Sequence, residues 1–214
     1  MKYTETPLTF GVAGETLLGI AALPEAPCDC GVLVVVGGPQ YRVGSHRQFL
    51  LLSRRLAEEG YPVFRFDYRG MGDSGGAMRS FEEVSEDIGA AVDAFLQQCP
   101  PLRRVILWGL CDAASAILMY LHTTGDTRVT GVALLNPWIR SDESLARTRI
   151  KHYYGQRLMR REFWSKLLTG KLNVAASLRG LLGNVDRARR RPDGRDRAPS
   201  FRDRMAEGLR RLRG

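Results

Sequence analysis

The chain has 214 residues, a formal net charge of +9 and 44% hydrophobic residues, which suits one sizeable core and leaves little room for a second domain. The first residues carry no signal-peptide pattern and no apolar run reaches the roughly 20 residues of a membrane span, so we expect a cytoplasmic protein without membrane insertion. The four cysteines are then expected to stay reduced. Because Cys28 and Cys30 lack zinc-ligand spacing and a second ligand pair, the sequence predicts no metal and no cofactor.

The predicted elements begin with a buried strand and an amphipathic helix. Residues 31–41 form a continuous apolar run that ends at the turn Gly37-Gly38-Pro39-Gln40, which is typical of a strand buried on both faces of a parallel sheet. A helix is predicted from His46 to Glu59, and Gly60 ends it.

The alternation of strands and helices continues along the chain. Residues 62–76 predict a strand and a glycine-rich turn, and a helix is predicted from about Ser80 to about Gln98, with a capping box at residues 80–83. Residues 129–137 predict a further strand. This alternation indicates a mostly parallel sheet with helices on both faces.

Residues 104–120 are the most informative segment. A short apolar strand runs through Gly109-Leu110-Cys111-Asp112-Ala113 into an apolar helix, which is the pattern G-x-[S/C]-x-[G/A] of a nucleophile elbow. The neighbours two before and two after the nucleophile must be small because the backbone turns sharply, and Gly109 and Ala113 satisfy that demand. Cys111 would lie at a helix N-terminus, where the dipole favours negative charge. The alternative is a structural cysteine buried at a strand end.

The positive charge lies in the last third of the chain. Residues 1–138 hold 11 Lys/Arg and 15 Asp/Glu, whereas residues 139–214 hold 21 Lys/Arg and 8 Asp/Glu. The basic run at residues 186–197 contains proline and glycine and predicts a solvated flexible loop. A patch for nucleic acid or anionic membrane is the alternative, but no aromatic residues or binding motif accompany the run, so no nucleic-acid partner is expected.

Three motifs in this order resemble those of the α/β-hydrolase superfamily: the turn at residues 37–40, the sequence DYRGMGDS at residues 67–74, and the elbow at Cys111. The resemblance covers roughly residues 7–138 and implies the α/β-hydrolase fold. More narrowly, Cys111-Asp112 and the loop GGPQYRVGSH at residues 37–46 are similar to the exosortase A system-associated hydrolases, type 1. Those are bacterial proteins encoded alongside exosortase and exopolysaccharide genes.

The resemblance also implies a division of the chain. Residues 1–138 would be the core through the sixth strand, residues 139–208 a helical cap and the basic loop, and residues 209–214 the lead-in to a seventh strand. Residues 145–182 would be the cap helices over the active site, and the alternative is amphipathic helices packed on the sheet. The triad acid and histidine of this superfamily follow the seventh and eighth strands, so we expect a chain truncated before them.

The implied chemistry is acyl transfer to water with Cys111 as the nucleophile. The oxyanion would be held by the backbone N–H of Asp112 and by one N–H from the loop after the third strand. Pro39 has no N–H, which makes Gln40 the candidate for the second donor. Three further residues of that loop are candidates for the pocket, although the last is first of all a helix-start residue: Gly38, Tyr41 and His46.

Other side chains near these motifs have simpler interpretations. The Asp112 side chain is expected to be a first-turn carboxylate favoured by the helix dipole, with gating of the thiol as the alternative. Asp67 and Asp73 are expected to hold the glycine-rich turn together. His122, in the helix after the elbow, and His152, in the predicted cap, do not follow a strand and are not expected to be the base.

Two classes of function fit these observations. The first is a cysteine-dependent hydrolase of a small ester, thioester or lactone, with an acyltransferase as a variant that uses another acceptor. The second is a non-catalytic accessory or binding protein on the same fold, since a fold alone does not define a function.

Overall fold

The computed structural model describes residues 2–38, 40–139 and 199–212. Contacts divide the chain into two compact units, residues 1–138 with 203–214 and residues 139–202. The predicted cap helices at residues 145–182, the basic run at residues 186–197 and His152 lie outside the described residues.

The described part contains six strands and four α-helices, and a short 3-10 turn at Ser45–Arg47. The strands are β1 (Tyr3–Val12), β2 (Glu15–Pro24), β3 (Cys30–Val35), β4 (Val63–Phe66), β5 (Arg104–Leu110) and β6 (Val129–Leu135). The helices are α1 (Gln48–Glu58), α2 (Ser85–Gln98), α3 (Asp112–Thr124) and α4 (Phe201–Arg211).

The strands form one sheet in the order β1-β2-β4-β3-β5-β6. The hairpin of β1 and β2 is antiparallel and joins β4 in antiparallel register, whereas β4, β3, β5 and β6 are all parallel to one another. Each connection between parallel strands contains a helix, because the chain must cross back to the end of the sheet at which the previous strand began. The predicted α/β architecture with a mostly parallel sheet is confirmed.

Side chains of the central strands alternate between two cores because successive residues of a strand point to opposite faces. Helix α1 covers one face, where Phe49 packs with Val32, Val34 and Val63. Helices α2 and α3 cover the other face, which holds the larger core that includes Leu33. Helices therefore lie on both faces, as the sequence predicts.

Helices α1 and α2 begin later than predicted. Residues 46 and 47 have φ of 50° and 62°, values that no α-helix accommodates, so α1 begins at Gln48. The predicted capping box forms as an isolated turn in which Ser80 Oγ donates to Glu83 Oε2 at 2.9 Å, and α2 begins at Ser85. The end of α1 is as predicted, because Gly60 follows it with φ 92°.

Helix α4 packs on α3 through a very close approach. A Cβ at Gly208 would lie 2.0 Å from the carbonyl oxygen of Leu118, and Met205 on the same face of α4 is buried. Residues 209–211 belong to this helix, because the apolar residues of the segment recur at helical spacing. That residues 209–214 lead into a seventh strand stays a prediction.

None of the helices in the described ranges is long and apolar enough to cross a membrane.

Candidate active site

Cys111 is the residue at which β5 passes into α3. Its backbone angles, φ 59° and ψ −119°, lie in a region that costs residues with a side chain on the order of 1–3 kcal/mol. The turn is held by its neighbours, since the Cys111 N–H donates to the Leu135 carbonyl at 2.9 Å and the Trp138 N–H donates to the Cys111 carbonyl at 3.3 Å. Cys111 is exposed, which excludes the alternative of a buried structural cysteine.

The residues around the elbow are small because the backbone leaves no room for larger ones. A Cβ at Gly109 would lie 2.6 Å from Cδ1 of Ile117 and 2.9 Å from the backbone of Ala113. Ala113 is itself fully buried. The prediction that these two neighbours of Cys111 must be small is confirmed.

The loop after β3 lies directly against the elbow. The N–H of Gly38 donates to Oδ2 of Asp112 at 2.7 Å, and the N–H of Ala113 donates to Oδ1 of the same carboxylate at 3.1 Å. A Cβ at Gly37 would lie 2.2 Å from that Oδ1. The Asp112 side chain therefore has a second contact that the interpretation as a first-turn carboxylate does not include. The adjacent glycines were the available signal for a close approach.

Two backbone N–H groups, one in the elbow and one in the loop after β3, have no acceptor among the described residues. The N–H of Asp112 belongs to the first turn of α3, where no intrahelical acceptor exists. Neither this N–H nor that of Gln40 has an acceptor among the described residues. The Gln40 side chain is directed away, because its Oε1 accepts hydrogen bonds from the Ser45 N–H at 3.4 Å and from Gln48 Nε2 at 3.2 Å. These are the two predicted oxyanion donors.

A cleft of about 270 Å³ opens in front of the thiol. Its apolar walls come from Phe49 of α1, from Leu110 and from Trp138, which follows β6. The remaining lining residues are Gly37, Gly38, Gln40, Cys111 and Asp112.

The cleft collects most, but not all, of the predicted site residues. It brings together Cys111, Asp112, Gln40 and Gly38, whereas Tyr41 and His46 do not line it. His46 lies on the exposed 3-10 turn at Ser45–Arg47. Sequence reasoning did not find Phe49 and Trp138, since a core pattern on a helix and a lone tryptophan after a strand carry no sign of a pocket.

A buried ion-pair network fixes the base of the loop after β3. Asp67 is fully buried and accepts hydrogen bonds from the Arg42 side chain and from the N–H of Asp73 at 3.2 Å. Arg42 also pairs with the Asp73 carboxylate at 2.6 Å. The prediction that Asp67 and Asp73 hold the glycine-rich turn together is confirmed. Arg42, which pairs with both carboxylates, connects this turn to the loop after β3.

Tyr68 is a buried polar residue close to these groups. Its hydroxyl has no hydrogen-bond partner in the described part of the chain. Burial and then the negative charges of Asp112 and Asp87 raise the pKa of Tyr68 well above its usual value. Its ring packs against that of Phe66, with 5.5 Å between the centroids. Tyr68 therefore remains neutral and contributes packing, not a base.

The described ranges contain two histidines, and neither lines the cleft. His122 lies in the last turn of α3, roughly 16 Å along the helix axis from Cys111 at 1.5 Å per residue. Within the same ranges no cluster of three or more His, Cys, Asp or Glu side chains could hold a metal ion.

A sharp strand-to-helix turn after β5, a glycine loop after β3 and a mostly parallel sheet are the features of the α/β-hydrolase fold. The sequence profile of the hydrolase family described as "Serine aminopeptidase, S33" matches residues 30–206. The chain belongs to this family. Its elbow has cysteine at position 111, whereas the family description refers to serine.

Solved structures give the same fold. The chain is similar to the esterase Pf2001 of Pyrococcus furiosus, with 25% identity and a TM-score of 0.55 over 68% of this chain and 55% of that chain. It is also similar to the alpha/beta hydrolase GrgF from Penicillium sp. sh18, with 20% identity and a TM-score of 0.56 over 87% of this chain and 68% of that chain. The chain thus spans about half the length of the esterase that it matches. No match was found among curated proteins.

Proposed function

We propose that this protein hydrolyses a small ester, thioester or related acyl bond, with Cys111 as the nucleophile. One observation carries the proposal: an exposed thiol lies on a strained turn at a helix N-terminus, in a cleft that also holds two unoccupied backbone donors. The similarity to an esterase supports ester bonds as the substrate class.

The reaction follows from this geometry in two balanced steps. The Cys111 thiolate adds to the carbonyl carbon, and the carbonyl electron pair moves to oxygen, where the N–H groups of Asp112 and Gln40 stabilise it. Collapse of this intermediate expels an alkoxide or thiolate, which takes a proton from solvent to replace the one that the Cys111 thiol released there, and leaves an acyl thioester on Cys111. Addition of water to that thioester then releases the acid and restores the thiol.

A cysteine nucleophile can be acylated without a general base, and no general base has been identified among the described residues. A thiol is a few per cent ionised at pH 7 and is intrinsically very nucleophilic, whereas a serine hydroxyl needs a general base. We therefore expect the 214-residue chain to be acylated by an activated ester more readily than it turns over.

A cytoplasmic role in a bacterial exosortase and exopolysaccharide system is part of the same proposal. It rests on the similarity of the segments at residues 37–46 and 109–115 to the hydrolases of that system. An acyl group on an exported polysaccharide precursor would be a substrate of the proposed class.

Acylation by p-nitrophenyl acetate tests the proposal. We expect a burst of p-nitrophenolate that corresponds to one acetyl group per chain, and mass spectrometry should place that group on Cys111. The Cys111→Ala variant should show no burst, Cys111→Ser a much slower one, and Cys28→Ala, which removes a thiol outside the cleft, an unchanged one. If Cys111→Ala is acylated as fast as the parent chain, the proposal is wrong. Release of acetate to an added alcohol or amine instead of water would identify an acyltransferase.

A further inference from the structure

The Asp112 carboxylate connects the elbow to the loop after β3. One oxygen accepts the N–H of Ala113 in the first turn of α3 at 3.1 Å, and the other accepts the N–H of Gly38 at 2.7 Å. The two contacts lie on elements 74 residues apart in sequence. Gly37 and Gly38 leave the space that the carboxylate occupies, since a Cβ at Gly37 would lie 2.2 Å from Oδ1.

The Gly38–Asp112 hydrogen bond determines which backbone N–H groups of the cleft are free to bind a substrate oxygen. Gly38 lines the cleft, and its N–H already donates to the Asp112 carboxylate. Asp112 and Gln40 also line the cleft, and their backbone N–H groups have no acceptor among the described residues. Gln40 lies two residues after Gly38 in the same loop. The Arg42–Asp67 contacts hold the base of this loop to the turn after β4, and the Gly38–Asp112 hydrogen bond joins the loop to the elbow.

We propose that Asp112 is the positioning residue of the oxyanion hole, because its carboxylate fixes the loop donor at Gln40 relative to the elbow donor. The inference rests on the proposed role of Cys111. Asp112 acts through the loop donor, so it assists the step that needs the oxyanion hole.

Two reactions of Cys111 distinguish a role of Asp112 in the oxyanion hole from a merely structural role. Alkylation by iodoacetamide displaces iodide at a saturated carbon and needs the thiolate but no oxyanion hole. Acylation by p-nitrophenyl acetate needs both. A positioning role therefore predicts a change in the ratio of the two rates, whereas a merely structural role predicts no change in that ratio.

The experiment compares Asp112→Asn and Asp112→Ser with the parent chain. Asparagine has nearly the same shape but cannot accept hydrogen bonds with both of its terminal atoms. Serine keeps a short acceptor near the start of α3 but cannot reach Gly38. For both variants we expect acylation to fall about 10- to 100-fold, which is less than the roughly 100- to 1,000-fold loss seen when an oxyanion donor is removed outright, because the Gln40 N–H is displaced and not deleted. Alkylation should be as fast as in the parent chain.

Asp29→Asn is the matched control. Asp29 is about half exposed, pairs with Arg104 and precedes β3 at the opposite end of that strand, so neither rate should change. An unchanged ratio of acylation to alkylation in the Asp112 variants would overturn the inference, whether both rates persist or fall together. Unfolding of both variants would overturn it too, because Asp112 would then be a structural residue of the elbow. Acylation of the Cys111→Ala chain, by contrast, would refute the proposed function itself.

Discussion

The backbone N–H of Arg42 donates a hydrogen bond of 2.6 Å to Oδ1 of Asp67, and the Arg42 guanidinium contacts the other oxygen of the same carboxylate. One buried side chain thus fastens the loop after β3 to the turn after β4. The carboxylate accepts a third hydrogen bond from the N–H of Asp73, so three hydrogen bonds to one side chain join these two loops.

Asp67→Asn is expected to lower the free energy of unfolding by about 3 kcal/mol, because it leaves the Arg42 charge without its buried partner. Asp73→Asn should cost less than about 1 kcal/mol, since the Asp73 carboxylate is 65% exposed. Urea unfolding of both variants measures the difference. Equal losses would contradict the assignment of Asp67 as the central group of the network.

Cys111 is expected to be the most reactive of the four thiols. It is exposed, whereas Cys99 is buried and burial raises the pKa of the Cys99 thiol. Burial likewise raises the pKa of Cys30, and only the thiolate reacts. A limiting amount of iodoacetamide near neutral pH, followed by mass mapping, should modify Cys111 first. Prior labelling of Cys28 or Cys30 in the folded chain would count against a nucleophile at the elbow.

Gly208→Ala is expected to destabilise the chain by about 1–3 kcal/mol through overpacking. The sign is informative, because the same change at an open helical position usually stabilises by up to about 1 kcal/mol. The loss follows from the 2.0 Å separation between the added Cβ and the Leu118 carbonyl oxygen. Arg210→Ala on the exposed face of α4 serves as the control, with a change within about 0.5 kcal/mol. A stabilised Gly208→Ala chain in thermal unfolding would show that α4 does not pack on α3 in this way.

Asp126 is expected to contribute a pH-dependent part of the stability. Burial alone would raise the pKa of Asp126, but hydrogen bonds from Arg128 and Tyr120 outweigh burial and lower it. A carboxyl with a lowered folded pKa stabilises the fold above its unfolded pKa, 3.8 for this group, and this contribution is lost as the pH falls through the folded pKa.

Urea unfolding between about pH 6 and pH 2 tests this expectation. The parent chain should lose more stability on acidification than Asp126→Asn does. Asp93→Asn is the control, because Asp93 also contacts Arg128 but is 66% exposed. Identical acid slopes for the parent and Asp126→Asn chains would contradict it.

Local patterns were sufficient to predict the order of the elements and the elbow. The alternation of strands with helices predicts the parallel part of the sheet, and the small residues Gly109 and Ala113 indicate the sharp turn at Cys111. These features are short-range, because each one depends on residues within a few positions of one another. The start of α1 was predicted wrongly for a related reason, since nothing in the side chains of His46 and Arg47 signals a positive φ.

Long-range contacts could not be predicted in the same way. The Asp112 carboxylate and the Gly38 N–H are 74 residues apart. Only the order and register of β3 and β5 in the sheet bring them together, and the sequence does not give that order or register. The same holds for the cleft walls, because Phe49 and Trp138 meet only once α1 and the end of β6 have been placed on the sheet. Residues with several acceptable local roles, such as Asp112, are the ones whose function only the tertiary structure distinguishes.

The positive φ at Cys111 means that the residue proposed for the chemistry also lowers the stability of the fold. Glycine at position 111 would relieve strain on the order of 1–3 kcal/mol, offset in part by about 1 kcal/mol of added freedom in the unfolded chain, so removal of the thiol can leave the fold unharmed or improved. Selection for folding alone therefore does not keep a cysteine at this position. Under the proposed function, a gene copy released from its chemical role is free to drift toward glycine there, and a related sequence that retains the thiol marks a lineage in which the proposed reaction is still used.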